Sequence, residues 1–201
     1  NRQPVATSSR RMTNFLKIAE GIDVTPLRMA LARQPELFGK YGERQYAPGT
    51  PHGGMTDIWV RYNDRRPFDE SGDFSKINDE HESVWYPESA KIPEVMPIIF
   101  GLMTHVRAER LGGVLITKIP PGGEIKPHID GGWHAAKYEK FYVAVQNEPA
   151  AVFGFPDGEI HAKAGDAWWF RNDVEHWVAN NSRSDRIAMI VCLQLSKGPA
   201  W

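Results

Sequence analysis

From residue 113 onward, apolar and polar positions alternate in short runs. "GVLITKI", "EIKPHI", "KFYVAVQ", "AAVFGF", "EIHAK", "DAWWFR", "VEHWVAN" and "RIAMIVCLQL" read as strands. Between them, "PPGG", "PDGE", "AGD" and "NNSRSD" place Gly, Pro, Asn and Asp where the chain must reverse. Eight short strands in this spacing predict a mainly β fold, a jelly roll of two facing sheets wound as Greek keys.

Upstream the period changes. "VTPLRMALARQPELF" predicts a helix: Thr25 can cap it, Pro26 suits its first turn, and Leu27, Ala30 and Leu31 share one face. "PEVMPIIFGLMTHVRAERL" predicts a second helix, with Ile98, Leu102, His105 and Val106 at helical spacing. That spacing makes His105 a partly buried helix residue rather than a ligand. "DIWVRYND" alternates as a strand, with Trp59, Arg61 and Asn63 on one face and Ile58, Val60 and Tyr62 on the other. Residues 63–92 are polar and turn-rich, and a loop of that length in a compact domain reads as a lid or a binding loop. The expected organisation is one domain over 1–201. Residues 1–111 form a flanking region of helices and loops with one or more added strands, and residues 112–195 form the β core.

Composition narrows the classes. Hydrophobic residues make up 41% and charged residues 24%, as in ordinary globular chains, and the formal net charge of -1 argues against a nucleic-acid module. Arg10, Arg11, Arg61, Arg65 and Arg66 are spread over two segments and read as exposed salt partners. The single cysteine, Cys192, lies in an apolar run, so it reads as a buried small hydrophobe and fits a reducing cytoplasm. No stretch is apolar enough to span a membrane, and no signal-peptide pattern is present. The chain starts at Asn1 rather than Met, so residues can be missing upstream.

The candidate chemistry centres on "PGGEIKPHIDGGWH". On a strand, His128 and Asp130 point the same way and can hold one ion. His176, opening another predicted strand, is the best third ligand. Two histidines and one carboxylate on one side of a metal are the facial triad of non-haem Fe(II) oxygenases. Gly122 in the turn before His128, Gly165 in the turn before His176, and Asn180 just beyond resemble the two metal-binding motifs of the cupin superfamily. Arg186 heads the last strand. Its charge is costly to bury without an anion, and its planar fork suits a carboxylate. Antiparallel pairing across "NNSRSD" would bring it near His176. Trp168, Trp169 and Trp177 read as core filling rather than pocket lining. Arg61 is a candidate reader of a substrate carboxylate, with surface exposure as the alternative. His52, His81, His134 and His161 fall outside the triad spacing, and His134 reads as a loop residue.

Residues 112–195 resemble the catalytic core of 2-oxoglutarate-dependent oxygenases. They are most similar to the aspartyl/asparaginyl beta-hydroxylase family, through "PHID" after "IPPGG", "GDAWWFRNDVEHWVANNS" and "DRIAMIV". A looser likeness runs from "ALARQPELF" through "DIWVRYND". The resemblance implies a double-stranded beta-helix and Fe(II) held by His128, Asp130 and His176, with 2-oxoglutarate and O2 as cosubstrates. It places Arg186 on the distal carboxylate of 2-oxoglutarate. It also sets Thr117 where the family has a hydroxyl residue near the cosubstrate, and aligns Lys140 and Tyr142 with a basic residue and a polar ring. Animal members carry glycine where this chain has Asp130, so the full triad here is closer to bacterial relatives, including free-proline hydroxylases. The implied reaction hydroxylates a C–H bond of an Asp or Asn residue in a protein, or of a free amino acid. Three other readings stand beside it: a cupin-type metal enzyme without 2-oxoglutarate, a non-catalytic jelly-roll binding module, and a His-His-Asp zinc hydrolase.

Overall fold

A computed structural model describes residues 13–77 and 80–196; Arg10 and Arg11 lie outside them. In chain order the strands are β1 (Phe15–Ala19), β2 (Thr56–Tyr62), β3 (Val84–Trp85), β4 (Ala108–Ile119), β5 (Glu124–His128), β6 (Glu139–Gln146), β7 (Ala151–Phe155), β8 (Gly158–Ile160), β9 (Ala167–Phe170), β10 (His176–Asn180) and β11 (Arg186–Leu195). The helices are α1 (Thr25–Arg33), α2 (Glu43–Tyr46), α3 (Arg66–Ser71), α4 (Glu88–Lys91), α5 (Val95–Val106) and α6 (Gly132–Lys137). Among the described residues no helix is long and apolar enough to cross a membrane.

The strands form two antiparallel sheets. One runs β1-β9-β6-β11-β4-β2-β3 and the other β5-β10-β7-β8. Strands β4 to β11 are the predicted eight. The chain carries them back and forth between the two sheets, which is the jelly-roll, double-stranded beta-helix arrangement.

The large sheet is covered on both faces, which explains why β11 reads as a continuous apolar run. On one face Ile187, Met189, Val191 and Leu193 join Val114, Ile116, Val143 and Val145 against Leu27 and Leu31 of α1 and Ile99 and Leu102 of α5. On the other face Ala188, Tyr142 and Ile119 meet Ile125, Phe153, Phe155 and Val178 of the small sheet. The side chains turned toward the small sheet include Thr117 and Ala188, opposite each other in the β4–β11 pair. Small residues there leave room between the sheets.

Asn180 ties the ends of both sheets together. It is fully buried, and its Nδ2 donates to Ile119 O (2.8 Å) and Ser184 O (2.9 Å). Its backbone N–H donates to Gly123 O (3.0 Å), while its carbonyl accepts from Gly122 N–H (2.7 Å). Gly122 takes φ +74°, a conformation open to glycine at little steric cost.

Several expectations are corrected. β10 and β11 do not pair; they lie in different sheets, so Arg186 comes toward the site from the facing sheet, paired with Ile119. β5 ends at His128 rather than including residue 129. Thr25 does not cap α1; Asp23 Oδ1 accepts the Thr25 N–H instead, at 3.0 Å. The second helix stops at Val106 because Arg107 turns left-handed (φ 55°), and the following residues extend β4. His105 is exposed and bonds Ile18 O at 3.0 Å. The expected two faces of β2 break down because the β2–β4 register shifts between Trp59 and Arg61. Trp59 and Tyr62 therefore pack together, rings 4.8 Å apart. Residues 63–92 are not one open loop: they hold α3, a 3-10 turn (Phe74–Lys76), β3 and α4. β1, at the edge of the large sheet, has no counterpart in the sequence reading.

Gly165 gives a direct test of how β1 and its following turn dock. Its φ is +89°, and a Cβ there would sit 2.6 Å from Ile22 O, whose own N–H donates to Gly165 O at 3.0 Å. Gly165→Ala is expected to lower stability by about 1–3 kcal/mol in urea unfolding, from strain plus overpacking.

Candidate active site

β5 and β10 are antiparallel neighbours, and their register sets His128 directly across from His176, with ring centres 4.4 Å apart. Asp130 lies two residues past His128, beyond the strand end. Its position is held by its backbone N–H, which donates to Asn172 O at 3.0 Å. Asn172 is in turn anchored by its Nδ2, which donates to Ala135 O at 2.8 Å.

The donor chemistry fits a divalent metal. His128 Nδ1 lies 2.8 Å from Lys126 O, and His176 Nδ1 lies 2.8 Å from Val174 O. A carbonyl can only accept, so each Nδ1 carries a proton, and in the neutral ring Nε2 is then the atom with the lone pair a metal needs. The two Nε2 atoms lie 3.7 and 3.6 Å from the Asp130 carboxylate oxygens, and the three ligand atoms fall within 4.8 Å of one another. Carbonyls holding the far nitrogen of each ligand histidine are the outer-shell arrangement that orients metal sites. Burial pushes the His176 imidazole toward its neutral form, against the pull of Asp130. For Asp130, burial favours protonation, but the Lys140 ammonium, with Nζ 2.6 Å from Oδ2, outweighs it and holds the carboxyl below its usual range.

In front of His128, Asp130 and His176 lies a cavity of about 350 Å³, within the size range of small-molecule sites. Arg186 reaches it from the large sheet. It is 3% exposed, its Cζ lies 4.8 Å from the Tyr142 ring centre, and its Nε has no hydrogen-bond partner among the described residues. No carboxylate of the described residues forms an ion pair with it. A buried guanidinium left this way calls for an anion from outside the chain. Thr117 lines the same cavity. Tyr142 is buried beneath Arg186, its hydroxyl pushed above the usual range by burial. Lys140 lines the cavity but is engaged with Asp130.

Other expectations fall elsewhere. Arg61 is half-buried and does not line the cavity; it donates to Gly112 O at 3.0 Å and lies over Trp85. Trp168, Trp169 and Trp177 do not line it either. Arg65 pairs with Glu43 and Asp69, and Arg66 with Asp64. His134 is a buried residue of α6, not a loop residue, and it lines the cavity together with His81, the two rings 5.3 Å apart. His161 is exposed beside Glu159. Cys192 is buried, as expected, but it also faces the cavity.

Two cavity residues had no place in the sequence reading of the site. Arg44, on α2, extends into the cavity and pairs with buried Asp57 at 2.6 Å. His52 packs edge-on against His128, with ring centres 5.1 Å apart. Burial, then the Arg44 charge, lowers its pKa to about 2, so it stays neutral. Neither lies on a periodic element, so spacing gave no signal.

Comparison with known proteins follows this geometry. A family profile described as aspartyl/asparaginyl beta-hydroxylase matches residues 77–194. No curated protein matches the sequence significantly. The fold is similar to the non-haem alpha-ketoglutarate-dependent carbocyclase SnoK from nogalamycin biosynthesis, with TM-score 0.58 and 14% identity over 92% of this chain and 81% of that one. It is also similar to a prolyl hydroxylase from Trichoplax adhaerens, solved with a hypoxia-inducible factor oxygen degradation domain peptide (TM-score 0.57, 10% identity, 92% and 84% covered). A third is an oxidoreductase of the 2OG-Fe(II) oxygenase family from Burkholderia pseudomallei (TM-score 0.53, 14% identity, 90% and 84% covered). At these identities the likeness establishes the fold.

The donor set predicts one tight site for a divalent ion. Co(II) titration followed by visible absorption should show one ion bound per chain. His128→Ala or His176→Ala should weaken binding by more than the roughly 10–100-fold typical of losing an outer-shell partner.

Proposed function

Because this chain belongs to the aspartyl/asparaginyl beta-hydroxylase family and is an Fe(II)- and 2-oxoglutarate-dependent oxygenase, we propose that His128, Asp130 and His176 hold the iron and that Arg186 binds the far carboxylate of 2-oxoglutarate. The observation that carries this reading is the pairing of a histidine–carboxylate triad with a buried, anion-less arginine across one cavity. When bound, iron with 2-oxoglutarate and O2 supplies the oxidation: one oxygen atom enters a substrate C–H bond, the other enters succinate, and carbon dioxide leaves.

The chain's own residues provide placement. The two histidines offer neutral Nε2 donors, kept in that tautomer by the Lys126 and Val174 carbonyls. Lys140 keeps Asp130 ionised and occupies its Oδ2 side. Tyr142 lies under Arg186, with Cζ 4.8 Å from its ring centre, and helps to position the guanidinium whose fork suits a carboxylate. Thr117, on the neighbouring strand, is placed to add a hydroxyl to the same end of the cosubstrate. Apolar walls from Phe153, Phe170 and Val178 keep water out and strengthen these electrostatic contacts.

The prime substrate is read as an amino acid, either an Asp- or Asn-type residue in a protein or a free amino acid, with the family resemblance as its support. The same reading takes 1–201 as one cytoplasmic oxygenase domain, supported by a single buried cysteine that asks for no oxidising compartment.

The test is an anaerobic titration of Fe(II)-loaded protein with 2-oxoglutarate, following the visible charge-transfer band. The wild type should develop the band. Asp130→Ala should lose it, and Arg186→Met should need about 10–100-fold more 2-oxoglutarate, the span for hydrogen bonds to a charged group. Metal binding without any band would sink the oxygenase assignment of these residues and favour a metal cupin that uses no 2-oxoglutarate.

A further inference from the structure

Two arginines enter the cavity, from different parts of the fold. Arg186 comes from the large sheet and stacks on Tyr142. Arg44 comes from α2, well outside the β core, and its Nη1 donates to Asp57 Oδ2 at 2.6 Å. Asp57 is 3% exposed, and its other oxygen accepts from Trp59 Nε1 at 3.1 Å. That brace fixes one edge of the Arg44 guanidinium. A guanidinium carries five N–H donors, and no other acceptor for them is recorded among the described residues. The Arg44 side chain is 23% exposed, and it faces the cavity.

The segment that carries Arg44 is pinned to the metal-ligand strand. Thr50 Oγ1 donates to Arg44 O (2.7 Å), and Lys126 N–H donates to Pro51 O (3.0 Å). Gly54 lies so close to Glu124 that a Cβ would come within 2.3 Å of its carbonyl oxygen. The same segment brings His52 onto His128, with a buried Nδ1 that has no hydrogen-bond partner among the described residues. Two polar groups, Arg44 and His52, are thus held on the β5 side of the cavity with unused hydrogen-bonding capacity.

Charge balance says what they await. Iron, Asp130 and the 2-oxoglutarate dianion together carry one negative charge. Lys140 and Arg186 bring two positive charges, and Arg44 with Asp57 brings none. The loaded cavity therefore keeps one positive charge in a largely buried setting, where an unbalanced charge is costly. Both carboxylates of 2-oxoglutarate are already placed, one toward the metal and one on Arg186, so Arg44 is left for a different ligand. Building on the oxygenase reading above, we propose that Arg44, braced by Asp57 and flanked by His52, is the specificity subsite that binds a carboxylate of the prime substrate.

The experiment uses Zn(II)- and 2-oxoglutarate-loaded full chain and calorimetric titration, so that no turnover is needed. The probes are two matched acid/amide pairs: N-acetyl-aspartate N-methylamide against its asparagine counterpart, and N-acetyl-proline against N-acetyl-prolinamide. At least one acid should bind, with its amide weaker by about tenfold or more. Arg44→Met should erase that preference, and Arg44→Lys should keep part of it. Asp57→Asn should weaken the acid several-fold while retaining some preference, a signature of positioning rather than contact. If Arg44→Met leaves Asp57 uncompensated and does not fold, Arg44→Met/Asp57→Asn removes both charges and serves in its place. Equal binding of acid and amide, no binding by either acid, or a preference that survives loss of Arg44 would each overturn the proposal. Failure of 2-oxoglutarate itself to bind the Zn(II)-loaded wild type is a separate readout and would bring down the oxygenase reading first.

Discussion

The site depends on one register, that of β10 against β5. A slip of one residue would turn His176 away from His128, because successive side chains on a strand face opposite ways. Asn180 prevents the slip. Its backbone closes onto the Gly122–Gly123 turn, and its amide holds Ile119 at the end of β4 and Ser184 just before β11. One buried residue thus ties β10 to the turn before β5 through its backbone and, through its side chain, helps fix where β11 begins. Since Arg186 is the first residue of β11 and sits opposite Ile119, the same lock sets the distance from His128 and His176 to Arg186.

The large sheet solves a second problem, that of keeping a cavity open inside a packed protein. Its outward residues are branched and bulky and meet α1 and α5, where close packing stabilises the whole. Its inward residues become small or polar where β4 and β11 pass the site: Thr117 opposite Ala188, then Arg186 at the end. The polar groups that result are each held by a partner or poised for a ligand. Lys140 meets Asp130, Arg44 meets Asp57, and Arg186 meets the Tyr142 face but no carboxylate.

Much of this was legible in the sequence, for physical reasons. Strands with period two and turns rich in Gly, Pro and Asn announce themselves locally, which is why β4 to β11 and the His128–Asp130–His176 set could be read from spacing. What sequence did not reveal is non-local. Hairpin logic across "NNSRSD" put Arg186 beside His176, whereas the chain crosses to the other sheet in that loop. The β2 register shift, which groups Trp59 with Tyr62, leaves no trace in alternation. Arg61 lies on a strand that alternates in sequence and so drew notice as a substrate reader, yet it bonds Gly112 outside the cavity. Arg44 sits on a single helical turn with no periodic signal, and its reach into the site is set by contacts from Thr50 and β5 that no local pattern encodes.

This contrast divides the molecule by task. Groups assigned to metal and cosubstrate come from β4, β5, β6, β10 and β11, with Asp130 just past the end of β5 and held there by its N–H to Asn172 O. Groups left facing the rest of the cavity come from irregular segments: Arg44 and His52 from the α2–β2 stretch, Asn63, Ile77 and His81 from the segment after β2, and His134 from α6. On the proposed reading, the strand-built core would deliver the oxidising power and the wall built from these segments would read the substrate. Two joints between them, Lys126 N–H to Pro51 O and the close approach of Gly54 to Glu124, lie on β5 itself. The wall that carries Arg44 and His52 is therefore referenced to the same strand that carries His128, so that on the proposed reading a C–H bond held by the wall would be positioned relative to the metal rather than to the protein surface.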